Sequence, residues 1–254
     1  MVAVVGLLAV FALGIATLAL HPTGGPKAPP SPAPVPSASA GPTGSPSPTA
    51  TPSPNTPSPT ARPSPTGPPE APADAVTAVW PPPSSGVRYP TPIAAAGGFA
   101  LDLVGFRHPV LGSYRAGDAR SGEVDVRPEA GGPVTTVLVR RMSDDTWWVL
   151  GAATDGVELD TPGAGDVVAS PVVLAGRAWA FEGHVSVRIV EDGFPTPLAT
   201  GFVTGGGDTL RPFTDSFPLG TVHAAHGAVV LTTESARDGR VRTATVVRVA
   251  LAGP

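Results

Sequence analysis

The side chains able to do chemistry are few and scattered. His223 and His226 form the one close histidine pair, Glu234 is a candidate third ligand, and the other histidines stand alone as His21, His108 and His184. On a strand or loop, side chains three positions apart point to opposite faces, so the pair is poorly placed for one metal ion and no metal site is expected. No HExxH zinc motif and no GxSxG nucleophile elbow occurs, and Gly205-Gly206-Gly207-Asp208 lacks the Lys-Ser/Thr of a phosphate loop. Asp144-Asp145 and Glu191-Asp192 each sit beside turn signals, which predicts solvated turn carboxylates. Glu182 lies inside an otherwise apolar run and is expected to bond the neighbouring backbone at the Gly183 bend. No catalytic, cofactor-binding or metal-binding residue is therefore assigned, no cofactor is expected, and no binding residue can be named.

Composition narrows the classes further. The chain has 254 residues, no Cys and a net charge of −4, which excludes a disulfide framework, a thiolate metal site and a Cys nucleophile. With no basic stripe for a phosphate backbone, nucleic acid is not expected as a partner. Of the 34 Pro residues, more than half lie between Pro22 and Pro72. That segment cannot pack a core, which leaves roughly 175 to 180 residues to fold.

Residues 1–20, MVAVVGLLAVFALGIATLAL, carry no charge. At about 1.5 Å per residue they would cover a bilayer core of roughly 30 Å, as a transmembrane anchor or a signal peptide. A basic start, which a signal peptide favours, is missing, so an anchor is the preferred reading. Residues 21–74 repeat Ser-Pro and Thr-Pro steps. Each Pro fixes φ and extends its predecessor, so a disordered polyproline-rich linker is expected, long enough to act as a stalk. The predicted location is the cell membrane, single-pass with the rest of the chain outside the cytoplasm, or else secretion.

The elements that must position any site begin at Ala75. Residues 92–105, PIAAAGGFALDLVG, form the single candidate helix after the anchor, with Phe99, Leu103 and Val104 on one face. Residues 122–126, 134–141 and 146–152 read as three strands of a meander, separated by Gly131-Gly132-Pro133 and Ser143-Asp144-Asp145. Residues 75–161 are thus read as a small α+β domain. Trp147 and Trp148 must face opposite ways, one into the core and the other covered or exposed, where it could stack on a sugar or a protein.

From residue 162 to 254 the pattern is β throughout. Val185, Val187 and Ile189 alternate with His184, Ser186 and Arg188, as in a half-buried strand. Strands are also expected over 172–174, 178–181, 198–204, 213–219 and 228–233, with a flexible Gly205-Gly206-Gly207 and a hairpin at Asp238-Gly239. The last strand, 240–251, should place Val241, Thr243, Thr245, Val247, Val249 and Leu251 on one face, and Phe181 should anchor the core. The fold class predicted is mainly β, with a C-terminal immunoglobulin-like sandwich.

Ser170-Pro171, Gly176, Ala178, Phe181-Glu182-Gly183, Val185-x-Val187, Pro212-Phe213 and Ser235 with Asp238-Gly239 together resemble the Gmad2 family, the immunoglobulin-like domain of bacterial spore-germination and envelope proteins, over about residues 167–251. The resemblance implies an extracytoplasmic, sheet-based module and carries over no catalytic residues. The expected function is a non-catalytic binding or structural module of the bacterial cell envelope, with the membrane as one partner and an envelope protein or cell-wall polymer as the other. The alternatives are a cell-wall hydrolase and the sensor part of a transmembrane regulator.

Overall fold

A computed structural model describes residues 70–253. The anchor expected at 1–20 and nearly all of the linker expected at 21–74 lie outside the described residues. Among the described residues no helix is long and apolar enough to cross a membrane.

The two strands at the centre of the molecule are apolar or β-branched at almost every position, and both are buried on both faces. They are β11 (His226–Glu234) and β12 (Val241–Leu251). Around them a large sheet runs in the order β1 (Val110–Ala116), β2 (Ser121–Arg127), β3 (Thr135–Arg141), β4 (Trp147–Ala153), β12, β11, β8 (His184–Glu191) and β9 (Ala199–Thr204). The short β6 (Val167–Val168) adds to β12 in parallel. A second sheet of β10 (Arg211–Phe217), β7 (Val172–Ala178) and β5 (Val157–Thr161) packs on one face, which gives the sandwich. On the other face lies the helix, α1 (Pro92–Gly98), which runs on as a wider π turn over Phe99–Val104.

Two cores result. On the helix side Ala95, Ala96, Phe99 and Val104 meet Val124, Val137, Val149, Val230 and Val246. On the sandwich side Leu174, Phe213 and Phe217 meet Val185, Val187, Ile189, Val229, Leu231 and Val249. Burying each such side chain contributes about 1.5–3 kcal/mol, so the central strands are held from both sides. The predicted one-faced last strand needs correcting on this point. Thr233 pairs with Thr243 and Glu234 with Val241, so Arg242 is an extra residue in a bulge. Alternation flips there, and Val241 packs on the helix side whereas Val249 and Leu251 face the second sheet.

The predicted helix and the strands β2, β3 and β4 are present, and the meander has a fourth member, β1, hidden in sequence by Gly112 and Ser113. The sandwich strands also run differently at one point: β7 continues straight through Gly176, where a Cβ would collide with the Glu158 carbonyl oxygen of β5. Residues 157–161, placed by sequence at the end of the α+β segment, pair with β7 as β5. The meander joins the sandwich strands through Ala152 opposite Val246. Gly151 permits this approach, since a Cβ there would lie 2.7 Å from the Val246 carbonyl oxygen.

At the start of the described chain, Asp74 accepts hydrogen bonds from the Ser143 amide and hydroxyl, both at 2.9 Å. Ala75 and Ala78 bury against Met142 and Trp148. Trp148 is the fully buried member of the tryptophan pair, whereas Trp147 is half-buried on the opposite face, edge-on to Tyr114 at 5.3 Å. Phe181 does not anchor the core: it is 56% exposed, in a tight turn over Phe181–Gly183. The turn lifts its ring away from the sheet, and Phe213 and Phe217 fill that core instead.

Candidate functional site

Two polar regions stand out, one closed and one open. The closed one forms where β8 ends. Val185, Val187 and Ile189 point into the sandwich core, and the alternation carries Glu191 onto the same buried side, with 5% of its surface exposed. The loop before β11 has amides without strand partners, and Glu191 supplies them. Its carboxylate accepts from the His223 amide at 2.7 Å, the Ala224 amide at 2.9 Å and lies 2.9 Å from His223 Nδ1. Burial works against ionisation of Glu191, but the His223 imidazole and the two amides outweigh it and hold the carboxyl below its ordinary range. Next along the chain, Asp192 takes a two-pronged ion pair from Arg248, both contacts at 2.6 Å. Arg248 is 4% exposed and also donates Nε to the Val76 carbonyl at 2.9 Å. Glu191 and Asp192, predicted as solvated turn carboxylates, are thus framework groups. The partners that bury them, 32 and 56 residues away, are set by strand pairing.

Of the remaining predicted positions, His184 and Glu234 both reach the exposed Ser186 hydroxyl, which lies 3.3 Å from His184 Nε2, and the others stand apart. Glu234 sits at the opposite end of β11 from His226 and accepts from the Ser186 hydroxyl at 2.9 Å, far from the Glu191 and His223 pair. Among the described residues no group of three His, Asp or Glu could hold a metal ion. His223 stacks on Phe194 at 5.0 Å, and no hydroxyl among the described residues bonds its second ring nitrogen, so the acid–base pair lacks a nucleophile. Asp144 accepts from the Thr146 amide and hydroxyl and Asp145 takes a left-handed φ of 63°, both as turn residues. His184 stacks on Phe202. Glu182 is exposed with a left-handed φ of 55°; its side chain bonds no backbone group, so its part in the turn is conformational. Gly205 and Gly206, expected to be flexible, are packed in place. The Gly205 amide donates to the Gly183 carbonyl, the Gly206 amide to that of Ala178, and the Ala180 amide to that of Gly206, all at 2.7–2.9 Å.

The open region is a cleft of about 420 Å³ between three loops. The loop after the helix provides Gly105, Arg107 and His108, the β2–β3 turn provides Pro128 to Pro133, and the β11–β12 hairpin provides Ser235 and Arg237 to Arg242. The hairpin turn is closed by the Ser235 amide on the Arg240 carbonyl and the Gly239 amide on the Ser235 carbonyl, with Gly239 at φ 66°. Acidic side chains outnumber basic ones in the chain, 20 to 16, yet Arg107, Arg237, Arg240 and Arg242 all line this cleft. Against them stand Glu129 and Asp238. Asp238 lies 3.3 Å from Arg240 and 3.9 Å from Arg237, and Glu129 lies 3.9 Å from Arg237. Dehydration opposes ionisation of Asp238, but the Ser235 hydroxyl, the Arg240 amide and the two guanidiniums prevail and keep its carboxyl below the ordinary range. Arg107 and Arg242 have no hydrogen-bonding or ion-pair partner among the described residues. Sequence reasoning missed this cleft. Arg237-Asp238-Gly239-Arg240-Val241-Arg242 was legible only as a hairpin, and Arg107-His108 lies far away in the chain.

Residues 156–240 match the family model for Gmad2, the immunoglobulin-like domain of bacterial spore germination. The match begins just before β5 and ends in the β11–β12 hairpin, at one of the cleft arginines. No curated protein and no solved structure matches the chain.

Proposed function

We propose that this chain is a non-catalytic binding module of a bacterial cell envelope, working outside the cytoplasm and either tethered or exported by its N-terminal apolar segment. The observation that carries the reading is the contrast between its two polar regions. The buried carboxylates hold loops in place, whereas the open cleft presents guanidiniums that the protein itself leaves unpaired. Charged groups left unpaired on a concave surface are what a ligand site offers, since the fold gains nothing from them. The immunoglobulin-like match over residues 156–240 supports the same class, because such sandwiches serve as platforms for binding loops.

The full chain, incubated with isolated bacterial wall material, should co-sediment with it and release no soluble fragments. Absence of co-sedimentation would count against the binding role. Release of wall fragments that stops on Glu191→Gln would replace the reading with a hydrolase built on the Glu191–His223 pair.

A further inference from the structure

We infer that the arginine cleft binds an extended polyanion, a polymer whose repeating units carry phosphate or carboxylate groups. This rests on the binding-module reading and names the chemistry of its ligand. Every cation among the described residues that could form a salt link is an arginine or a histidine, and in the cleft it is arginine that dominates. A guanidinium presents a planar fork that matches the two oxygens of a phosphate or carboxylate.

The geometry offers two places for an oxyanion. The first is between Arg237 and Arg240, where the Asp238 carboxylate already sits, 3.9 Å and 3.3 Å away. Asp238 marks the position an incoming oxyanion would take. These are loose pairs on exposed arginines, and such pairs contribute little, so a ligand group displaces them at small cost. The second is beside Arg107 and Arg242, which have nothing to release before binding. Four guanidiniums lining one cleft can engage more than one anionic group, which a polymer supplies and a single phosphate does not.

The rest of the lining fixes what kind of polyanion fits. Gly105, Gly131, Gly132, Gly239 and the flanking Pro128 and Pro133 make the walls, and the cleft contains no Phe, Tyr or Trp, only the His108 imidazole. Without a large aromatic platform, a sugar face or a nucleobase gains little beyond its charge. Recognition therefore runs through the charges, and a single-stranded nucleic acid has no advantage over a simpler polyphosphate.

The test uses the full chain with long-chain inorganic polyphosphate, polygalacturonate, a single-stranded oligonucleotide of matched charge, and inorganic phosphate, followed by calorimetry. At least one of the first two polymers should bind at about 50 mM salt and weaken by roughly one to two orders of magnitude at about 200 mM. Binding by polyphosphate alone assigns a phosphate-bearing polymer, and binding by polygalacturonate alone assigns a carboxylate-bearing one. The Arg107→Ala/Arg242→Ala double variant should lose at least tenfold in affinity, the Gln pair at the same positions should lose as much, and Asp238→Asn should gain severalfold. Inorganic phosphate should bind at least a hundredfold more weakly. No binding of either polymer, full binding by both double variants, or tighter binding of the oligonucleotide overturns the inference. If wall co-sedimentation persists in the double variants while the polymers fail to bind, only this assignment falls and the binding-module reading stands.

Discussion

Arg242 and Arg248 lie on the same strand, and the protein treats them in opposite ways. Arg248 is buried and bonds Asp192 with both terminal nitrogens and the Val76 carbonyl with the third, so every nitrogen of its guanidinium is engaged within the fold. Arg242 is exposed at the bulged end, in company with three other arginines, and bonds nothing among the described residues. What differs is the covering chain. At the Arg248 end, the segment around Val76 and the turn after β8 close over the strand; at the Arg242 end, the hairpin projects past the neighbouring strands. The same side chain is a structural tie where backbone covers it and an exposed, unpaired cation where none does, so burial is what separates the framework of this protein from its candidate site.

The comparison is most easily broken at Arg248. Replacing it with Ala leaves the Asp192 carboxylate half-buried without its partner and strands the Val76 carbonyl. The expected loss is about 3 kcal/mol, the low end of what breaking a buried pair costs, because Asp192 keeps some contact with water. Urea denaturation checks this, and a loss below about 1 kcal/mol, the range of exposed pairs, would place Arg248 with the cleft arginines.

Glu191 gives the next effect. Its carboxyl is held below the ordinary range in the fold, so the ionised form adds stability above the unfolded-state pKa, and that contribution is lost as pH falls through the folded value. Glu191→Gln should therefore cost about 1–3 kcal/mol near neutral pH, in line with hydrogen bonds to a charged acceptor. The gap between variant and native protein should narrow as the medium is made acid. A gap that stays constant down to strongly acid pH would show that Glu191 acts through packing and not through its charge.

Elements with strong local patterning were legible from sequence. Alternation found β8, turn residues bounded β2, β3 and β4, and Asp238-Gly239 found the last hairpin. What was not legible depended on non-local geometry. β1 carries Gly112 and Ser113 and a bulge, so it shows no period of its own, and β6 is two residues long. The bulge at Arg242 erased the one-faced reading of β12. Glu191 looked like a turn carboxylate because its partners come from loops and strands brought in by the sheet order. Phe181 looked like core because an aromatic at the end of an apolar run usually is; a left-handed Glu182 turns the chain there and leaves the ring outside. Phe181→Ser should accordingly shift stability by less than about 0.5 kcal/mol, as surface substitutions do. A cooperative loss several times larger on thermal melting would return Phe181 to the core.

The smallest effect is the one that separates the two arginines most cleanly, because its sign is reversed. Four guanidiniums face two carboxylates in the cleft, so the free protein holds uncompensated positive charge there. Removing one of them by Arg242→Ala relieves repulsion and should leave stability unchanged or raised, by up to about 0.5 kcal/mol at low ionic strength. The gain comes from exposed charges, so it should vanish near 1 M salt, where the Debye length is about 3 Å. Arg248→Ala, losing hydrogen-bonded and buried contacts, should keep most of its cost in the same salt. Parallel denaturation of the two variants at low and high salt tests the pair directly. Destabilisation of Arg242→Ala at low salt would mean that this arginine serves the fold after all, and that covering chain is not what divides the two ends of β12.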